Sequence, residues 1–355
     1  MPHAEYTNEP KIDTSVTHGD WRDDLYRDGY YVVKGVLPEA KAQSYVDRMF
    51  QWLETFPYGF KKDDPSTWNQ QHLPDHIKGG MYYGYHCQHE KMLWDARTEP
   101  ALIDAFAKIW DTKELLVSFD GLNFTLPAGA AGIPPSEPWP HVDQNPIRKG
   151  MQCVQGILNL APNGPDDGGL LVMKGSHALN EQFFKAFPEK VGRGTWGSID
   201  WFGFEKDEVK WFEDRGCEVI KVCAEPGDLI VWDSRTIRKS LPHTFSLCLR
   251  GYVRIHGKSA HSGADWNKLP DSQNLRAVMY ICYTPASFAT SADREKKIDY
   301  YNKKLGTTHW PHANIFHQED KHLRLGKPDS YSRDSPVEKA EESDLLLKLA
   351  GVKAY

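Results

Sequence analysis

The chain has 355 residues, which is long enough to bury a large core in one domain or in two ordinary ones. Its 43 Lys and Arg residues stand against 49 Asp and Glu residues, giving a net charge of -6. This balance leaves no overall basic surface for a nucleic-acid backbone, so a small-molecule partner is favoured.

The six cysteines are scattered without a Cys-x-x-Cys pair, so neither a zinc knuckle nor a disulfide framework is predicted. No apolar run reaches the length of about 20 residues that spans a bilayer. The N-terminus also lacks the basic and then apolar pattern of a secretory signal. We therefore expect a cytoplasmic protein in a reducing compartment, without a membrane or nucleic-acid partner, and the oligomeric state stays open.

Helices dominate the predicted first third of the chain. A polar helix is expected over residues 20–26, followed by a β-branched and aromatic strand over Tyr30–Val33. Apolar residues then recur at three- and four-residue spacing after Pro38 and again from Leu102 to Trp110. This spacing predicts two amphipathic helices.

From residue 115 the pattern changes to short strands, separated by turns rich in Gly, Pro, Asn and Asp. Strands are expected over residues 115–126, 151–160, 170–173, 217–223, 229–232 and 275–283, and helices over residues 291–305 and 337–350. We expect one domain, residues 1–355, with helical and strand additions at 20–112, a mainly antiparallel β core at 113–290 and a C-terminal helical extension at 291–355.

His141 and Asp143 form a His-x-Asp motif. Because side chains alternate faces along a β-strand, the imidazole and the carboxylate point to the same side and can bind the same metal ion. Taken alone, such a motif in a loop is more often a surface hydrogen-bonding pair than a pair of metal ligands. An iron site also needs a third ligand, normally a distant His on an opposing strand.

Further motifs accompany this pair in order along the chain. Residues 28–37 read Asp-Gly-Tyr-Tyr-Val-Val-Lys-Gly-Val-Leu, residues 168–177 end in Lys-Gly-Ser-His, and residues 226–236 read Pro-Gly-Asp-Leu-Ile-Val-Trp-Asp-Ser-Arg-Thr. Together these segments resemble the phytanoyl-CoA dioxygenase family of Fe(II)/2-oxoglutarate-dependent oxygenases. The resemblance implies a mainly β fold, a double-stranded β-helix or jelly-roll barrel, flanked by N- and C-terminal helices.

The resemblance also implies the cofactors Fe(II), 2-oxoglutarate and O2. Two imidazoles and one carboxylate on one face of Fe(II) leave the opposite face for 2-oxoglutarate and O2. His141 and Asp143 then supply two of the ligands. Because related halogenases lack the carboxylate, Asp143 favours hydroxylation or a similar C–H oxidation. His177 is interpreted as structural, at a helix start with Ser176 as N-cap.

The third ligand is missing from its usual place. In the family the Trp-Asp-Ser-Arg-Thr strand leads directly to the distal His, but here Ile237 is followed by Arg238. Residues 238–260 contain five basic residues and no acidic one, in a chain that is acidic overall. We interpret this segment as an atypical basic insertion.

Removing the insertion joins Ile237 to His261 and restores the family pattern, so His261 is predicted as the third metal ligand. His243 and His256 remain alternatives. The insertion has two possible origins. It is either a surface loop that the fold tolerates or a retained intron. The intron is considered because Arg-Lys-Ser at residues 238–240 can be encoded by codons containing GTAAGT, a common splice-donor sequence.

Arg276 begins a predicted strand on which Arg276, Val278, Tyr280 and Cys282 share one face. A guanidinium that faces a barrel interior needs an anionic partner, and its planar fork suits a carboxylate. Mostly on the family resemblance, we predict that Arg276 binds the distal carboxylate of 2-oxoglutarate. The alternative is an ion pair with an acidic side chain such as Asp233, although Arg235 is expected to pair locally with Asp233.

Other polar and aromatic residues are less informative. Gln144 is a candidate hydrogen-bonding neighbour of the metal ligands. The aromatic segment at residues 81–85 is either a pocket wall or core. His309, His312 and His317 are expected at the surface or in packing, because their spacing fits no ordinary zinc pattern.

The sequence thus predicts an Fe(II)/2-oxoglutarate-dependent dioxygenase that hydroxylates or oxidises a small organic metabolite, with release of succinate and CO2. No basic cluster for a CoA phosphate is evident, which favours a free small molecule. The alternative is a catalytically inactive barrel that binds a ligand or a partner because the insertion disrupts the metal triad.

Overall fold

The computed structural model describes residues 12–77, 79–127, 139–192, 200–241, 274–316 and 322–355, with Ser240 and Leu241 described by their backbone. The helices are α1 Trp21–Asp28, α2 Glu39–Glu54, α3 Lys91–Arg97, α4 Pro100–Trp110, α5 Ser176–Ala186, α6 Pro188–Val191, α7 Lys206–Glu213, α8 Ser291–Asn302 and α9 Asp344–Leu349. The strands are β1 Tyr30–Val33, β2 Met81–Tyr82, β3 Leu115–Val117, β4 Leu122–Thr125, β5 His141–Val142, β6 Val154–Asn159, β7 Gly169–Lys174, β8 Phe202–Gly203, β9 Glu218–Lys221, β10 Leu229–Asp233, β11 Arg238–Leu241, β12 Arg276–Tyr280, β13 Tyr283–Pro285, β14 Leu323–Arg324 and β15 Lys327–Pro328.

Two antiparallel sheets form the centre of the described part of the chain. The larger has the strand order β1-β10-β6-β12-β4-β2, and the smaller has the order β8-β5-β11-β7-β9. Apolar side chains from both sheets, including Ile157, Val278 and Val172, form one buried cluster. The sheets therefore face each other across a shared interior, which confirms the predicted double-stranded β-helix.

Alternation along the strands separates this interior from the outer core. On β10, Leu229 and Val231 pack into the cluster that includes α2 and α4, whereas Ile230 and Trp232 face the space between the sheets. The N-terminal helices thus cover the outer face of the larger sheet. Its inward positions are left for side chains of the site.

The C-terminal helix is shorter than predicted. Residues 337–343 are not helical, because the backbone amides of Val337 and Glu338 donate to the Glu90 carboxylate at 2.8 and 3.0 Å. Ser343 then caps α9, its side chain accepting from the amide of Leu346. The predicted helix over 337–350 is therefore wrong over its first half.

The start of α5 also differs from the prediction by one residue. Gly175 is the N-cap, with a φ of 79°, and Ser176 is the first helical residue. The Ser176 hydroxyl donates to the carbonyl of Met173 at 2.7 Å and accepts from the amide of Ile237 at 2.9 Å. Ser176 therefore ties α5 to the chain just before β11.

No helix in the described ranges is long and apolar enough to cross a membrane.

Candidate metal centre

His141 and Asp143 lie side by side in the barrel, at β5 and the residue after it. Their side chains are buried, and Nε2 of His141 lies 3.5 Å from Oδ1 of Asp143. Nδ1 of His141 lies 2.8 Å from the carbonyl oxygen of Trp139, so Nδ1 carries the proton and Nε2 the lone pair. Two donor atoms at this separation fit one metal ion bonded to each at about 2.1 Å.

The other carboxylate oxygen of Asp143 is held by two side chains. Gln155 donates from Nε2 to Oδ2 at 2.9 Å. Arg238 donates to the same oxygen from Nε at 2.6 Å and also from Nη2. Burial disfavours the charged form of Asp143, but the positive charge of Arg238 and the neighbouring imidazoles outweigh it and lower the pKa of the carboxyl. Asp143 is therefore ionised at neutral pH.

Arg238 occupies the strand position beside His141. As the first residue of β11, it pairs with His141 of β5 on one side and with Val172 of β7 on the other. Its guanidinium carbon lies 5.4 Å from the centre of the Trp232 ring. The first four residues of the predicted insertion are therefore a paired strand of the smaller sheet.

The three candidates for the third ligand, His261, His243 and His256, lie outside the described residues, and the choice of His261 stays a prediction. Within the described ranges, no group of three His, Cys, Asp or Glu side chains is arranged to hold a metal ion. The described part of the chain thus supplies two of the predicted ligands.

A cavity of about 270 Å³ lies against this pair. Its walls include seven aromatic side chains, those of Tyr83, Trp139, Trp201, Trp232, Tyr280, Trp310 and Phe316. The segment at residues 81–85 serves both predicted purposes, because Met81 and Tyr83 line the cavity whereas Tyr82 and Tyr85 lie in the core.

Two indole groups in these walls have no hydrogen-bond partner in the described part of the chain. They are Nε1 of Trp232 and Nε1 of Trp310, in side chains that are 2% and 1% exposed. An unsatisfied buried donor costs roughly 1–3 kcal/mol. These N–H groups therefore suit a ligand that brings its own acceptor atoms into the cavity.

Two further carboxyl groups line the cavity. Asp200 accepts from Nε and Nη2 of Arg148 at 2.8 and 2.9 Å, in a buried ion pair. Asp120 has a different environment, in which burial raises its pKa to about 7, opposed by the amide of Gly121 and the charge of Arg97. Asp120 is therefore partly protonated near neutral pH.

Sequence reasoning missed two residues of this site. Gln155 and Ile157 are two positions apart and lie on the same inward face of β6. Strand alternation was therefore a usable signal for Gln155. His309, expected at the surface or in packing, lies in the cavity wall, where burial lowers its pKa and Asp143 opposes the shift. No local pattern marks His309, because it lies in an irregular segment after α8.

Three other predictions have clear outcomes. Gln144 donates to the carbonyl of Gly150 at 2.9 Å, so its expected contact with the metal ligands is wrong. His177 lies 2.9 Å from the carbonyl of Tyr26, which confirms a structural role. The local pair of Arg235 with Asp233 is confirmed, at 2.6 Å.

Arg276 lies on the inward face of β12, four positions from Tyr280, which lines the cavity. Its side chain is buried, and it forms no ion pair or hydrogen bond within the part of the chain that the structure describes. Asp233, its alternative partner, is taken by Arg235. A buried guanidinium with no ion-pair partner among the described residues suits a carboxylate ligand. The role predicted for Arg276 remains a prediction.

The chain belongs to the phytanoyl-CoA dioxygenase family, because the model of that family, Phytanoyl-CoA dioxygenase (PhyH), matches residues 25–246. Ava biosynthesis cluster protein O of Aspergillus versicolor is 40% identical over 310 residues, which cover 86% of this chain and 91% of that protein. The cofactors of the family are Fe(II) and 2-oxoglutarate, as the sequence predicted.

Solved structures support the fold. The structure of GlcNAc Inducible Gene 2, GIG2 (DUF1479), from Candida albicans matches with a TM-score of 0.56 at 10% identity, over 97% of this chain and 78% of that one. The hypothetical protein JW0805 from Escherichia coli matches with a TM-score of 0.54 at 13% identity, over 88% of this chain and 80% of that one. At these identities the likeness concerns architecture alone.

Proposed function

We propose that the protein is an Fe(II)/2-oxoglutarate-dependent dioxygenase that hydroxylates or otherwise oxidises a small organic metabolite, with release of succinate and CO2. The observation that carries this proposal is the buried pair of His141 and Asp143, whose donor atoms face each other at 3.5 Å beside an aromatic cavity. Family membership supports the same chemistry.

The residues of the site have separate parts in this proposal. His141 and Asp143 would hold Fe(II), with His261 as the proposed third ligand. When bound, Fe(II) together with 2-oxoglutarate and O2 supplies the oxidising power. Gln155 holds Oδ2 of Asp143 and so leaves Oδ1 turned towards His141, where the metal would be held. Arg276 is proposed to bind the distal carboxylate of 2-oxoglutarate.

The cavity favours a compact substrate with apolar faces. Trp139, Trp201 and Tyr83 pack against the substrate and exclude water, while the indole N–H groups of Trp232 and Trp310 donate to its polar atoms. A volume of about 270 Å³ suits a free metabolite better than an acyl-CoA ester. The name of the Aspergillus versicolor relative, a biosynthesis cluster protein, also supports a small-molecule substrate.

Anaerobic absorption spectroscopy tests this proposal. The full chain, mixed with saturating Fe(II) and 2-oxoglutarate, is expected to show the visible metal-to-ligand charge-transfer band. His141→Ala should abolish the band and Arg276→Ala should weaken it, whereas Arg294→Ala on α8 should leave it unchanged. If His243→Ala abolishes the band and His261→Ala does not, the choice of third ligand is wrong. A band in neither the full chain nor a version without residues 238–260 would contradict the proposed function.

The ion pair of Arg238 with Asp143 favours a second candidate function. In it the protein is a catalytically inactive barrel that binds a ligand or a partner, because the guanidinium takes the carboxylate that the metal needs. This candidate predicts no succinate from 2-oxoglutarate at any Fe(II) concentration. Formation of succinate that is lost in His141→Ala would exclude it.

A further inference from the structure

We propose that Arg238, which stands where the family pattern places the distal His, does not fit a metal site and competes with a metal ion for Asp143. This inference rests on the proposed function, since it concerns the same site.

The register of the smaller sheet places residue 238 beside His141. Residue 238 lies directly opposite His141, and directly opposed residues of an antiparallel pair send their side chains to the same face, with Cβ atoms about 5 Å apart. The side chain at 238 indeed reaches Asp143, two residues beyond His141. A side chain at 238 is therefore directed at the same point as the two predicted ligands.

The chain just before residue 238 is anchored independently of the residues after it. The amide of Ile237 donates to the Ser176 hydroxyl at 2.9 Å, and its carbonyl accepts from the amide of Met173 at 2.8 Å. The hydroxyl of Thr236 donates to the carbonyl of Gly29 at 2.8 Å. These contacts hold the entry to β11, so whichever residue comes after Ile237 starts beside His141.

Arginine at this position works against a metal ion in two ways. A guanidinium has donors only and stays protonated, so Arg238 offers no lone pair for coordination. Its positive charge also lies beside Asp143, whose Oδ1 faces His141. At residue 238 a divalent cation would therefore meet a positive charge in place of the imidazole that His would supply there.

The same position connects the inference to His261. A chain without residues 238–260 places His261 directly after Ile237, where Arg238 now stands. Arg238→His and the deletion are thus two routes to one arrangement, in which an imidazole joins His141 and Asp143. The two altered chains are expected to behave alike.

Calorimetric titration with Mn(II), which needs no exclusion of O2, tests the inference on the full chain in the presence of 2-oxoglutarate. Arg238→His is expected to bind Mn(II) about 10–100-fold more tightly than the unsubstituted protein, with the deletion version close to it. The Mn(II) affinity of Arg238→Ala should lie between those of Arg238→His and the unsubstituted protein, because this change removes the charge without adding a ligand. Arg238→Lys and the surface control Arg215→His should match the unsubstituted protein.

If His141→Ala is added to Arg238→His and the increase in Mn(II) affinity is lost, residues 141 and 238 bind the same ion, which would support the inference. Equal affinity of the unsubstituted protein and Arg238→His would overturn the inference. If Arg238→His does not fold, Arg238→Ala and Arg238→Gln test the inference instead. If neither binds Mn(II) more tightly than the unsubstituted protein does, the inference is overturned.

The inference and the proposed function fail in distinguishable ways. A charge-transfer band in the unsubstituted chain, together with equal Mn(II) affinities of that chain and of Arg238→Ala, would overturn the inference and leave the proposed function intact. Absence of both Mn(II) binding and the band in every version with a native circular dichroism spectrum would overturn both.

Discussion

Asp143 is shared among side chains that come from three separate strands or their ends. Gln155 on β6 and Arg238 on β11 hold Oδ2, while Oδ1 faces His141 of β5. The His-x-Asp motif was sufficient to predict the pair itself, because strand alternation requires only local sequence. The Arg238 contact joins residues 95 positions apart, so it depends on the pairing of β5 with β11, and no local pattern reports it.

Asp120 provides a prediction at the residue scale. Burial raises its pKa from 3.8 to about 7. Because the folded-state pKa lies above the unfolded value, the stability that this carboxyl contributes is complete below about pH 4 and is lost as the pH rises through about 7. Asp120→Asn lacks this titration. Its free energy of unfolding, relative to that of the unsubstituted protein, should therefore rise by roughly 1 kcal/mol or more between about pH 5 and 8.

Urea unfolding of both proteins at the two pH values measures this change. Glu213→Gln, at an exposed position on α7, is the matched control and should show no comparable trend. A stability difference between Asp120→Asn and the unsubstituted protein that does not vary with pH would show that Asp120 is ionised throughout.

At the scale of elements, the turn between α1 and β1 supports the approach to β11. Gly29 ends α1 with a φ of 83°, and its carbonyl accepts from the Thr236 hydroxyl. A Cβ placed on Gly29 would lie 2.4 Å from Nδ1 of His177 and 2.6 Å from Oγ1 of Thr236. The turn therefore requires glycine both for its backbone conformation and for its close packing.

Gly29→Ala and Gly35→Ala separate these two requirements. Gly35 has a φ of 61°, but a Cβ placed there meets nothing within 4 Å. Gly35→Ala should cost about 1 kcal/mol for backbone conformation alone. Gly29→Ala should cost about 2–3 kcal/mol, because crowding adds to the same strain. Thermal or urea unfolding measures both, and equal losses would show that His177 and Thr236 move aside freely.

Elements with long periodic patterns were predictable from the sequence. The spacing of Tyr45, Met49 and Leu53 marks α2, and the β-branched run of β1 gives its bounds. Shorter helices such as α3 and α7 have too few turns to show a pattern. The strand β11 was read as part of an insertion because its basic composition resembles that of a surface segment, whereas the carboxylate of Asp143 accommodates Arg238 in the interior.

At the scale of the whole molecule, two sheets enclose one interior that holds both the candidate ligands and Arg276. The fold was predictable because ordered family motifs mark strands in both sheets, with His141 in the smaller sheet and Trp232 in the larger. The contribution of His309 and Trp310 to the cavity wall could not be predicted from the sequence. Those residues lie in an irregular segment after α8, whose path is decided by packing against the barrel.

The central claim is that one metal ion binds between His141 and Asp143 in this interior. An anomalous difference map at the iron edge, from crystals of the full chain grown anaerobically with Fe(II) and 2-oxoglutarate, tests it most directly. We expect a single strong peak within bonding distance of Nε2 of His141 and Oδ1 of Asp143, with the Arg238 guanidinium displaced from Asp143. An iron peak elsewhere, or a map in which Arg238 still holds Asp143 and no peak lies beside His141, would contradict the account.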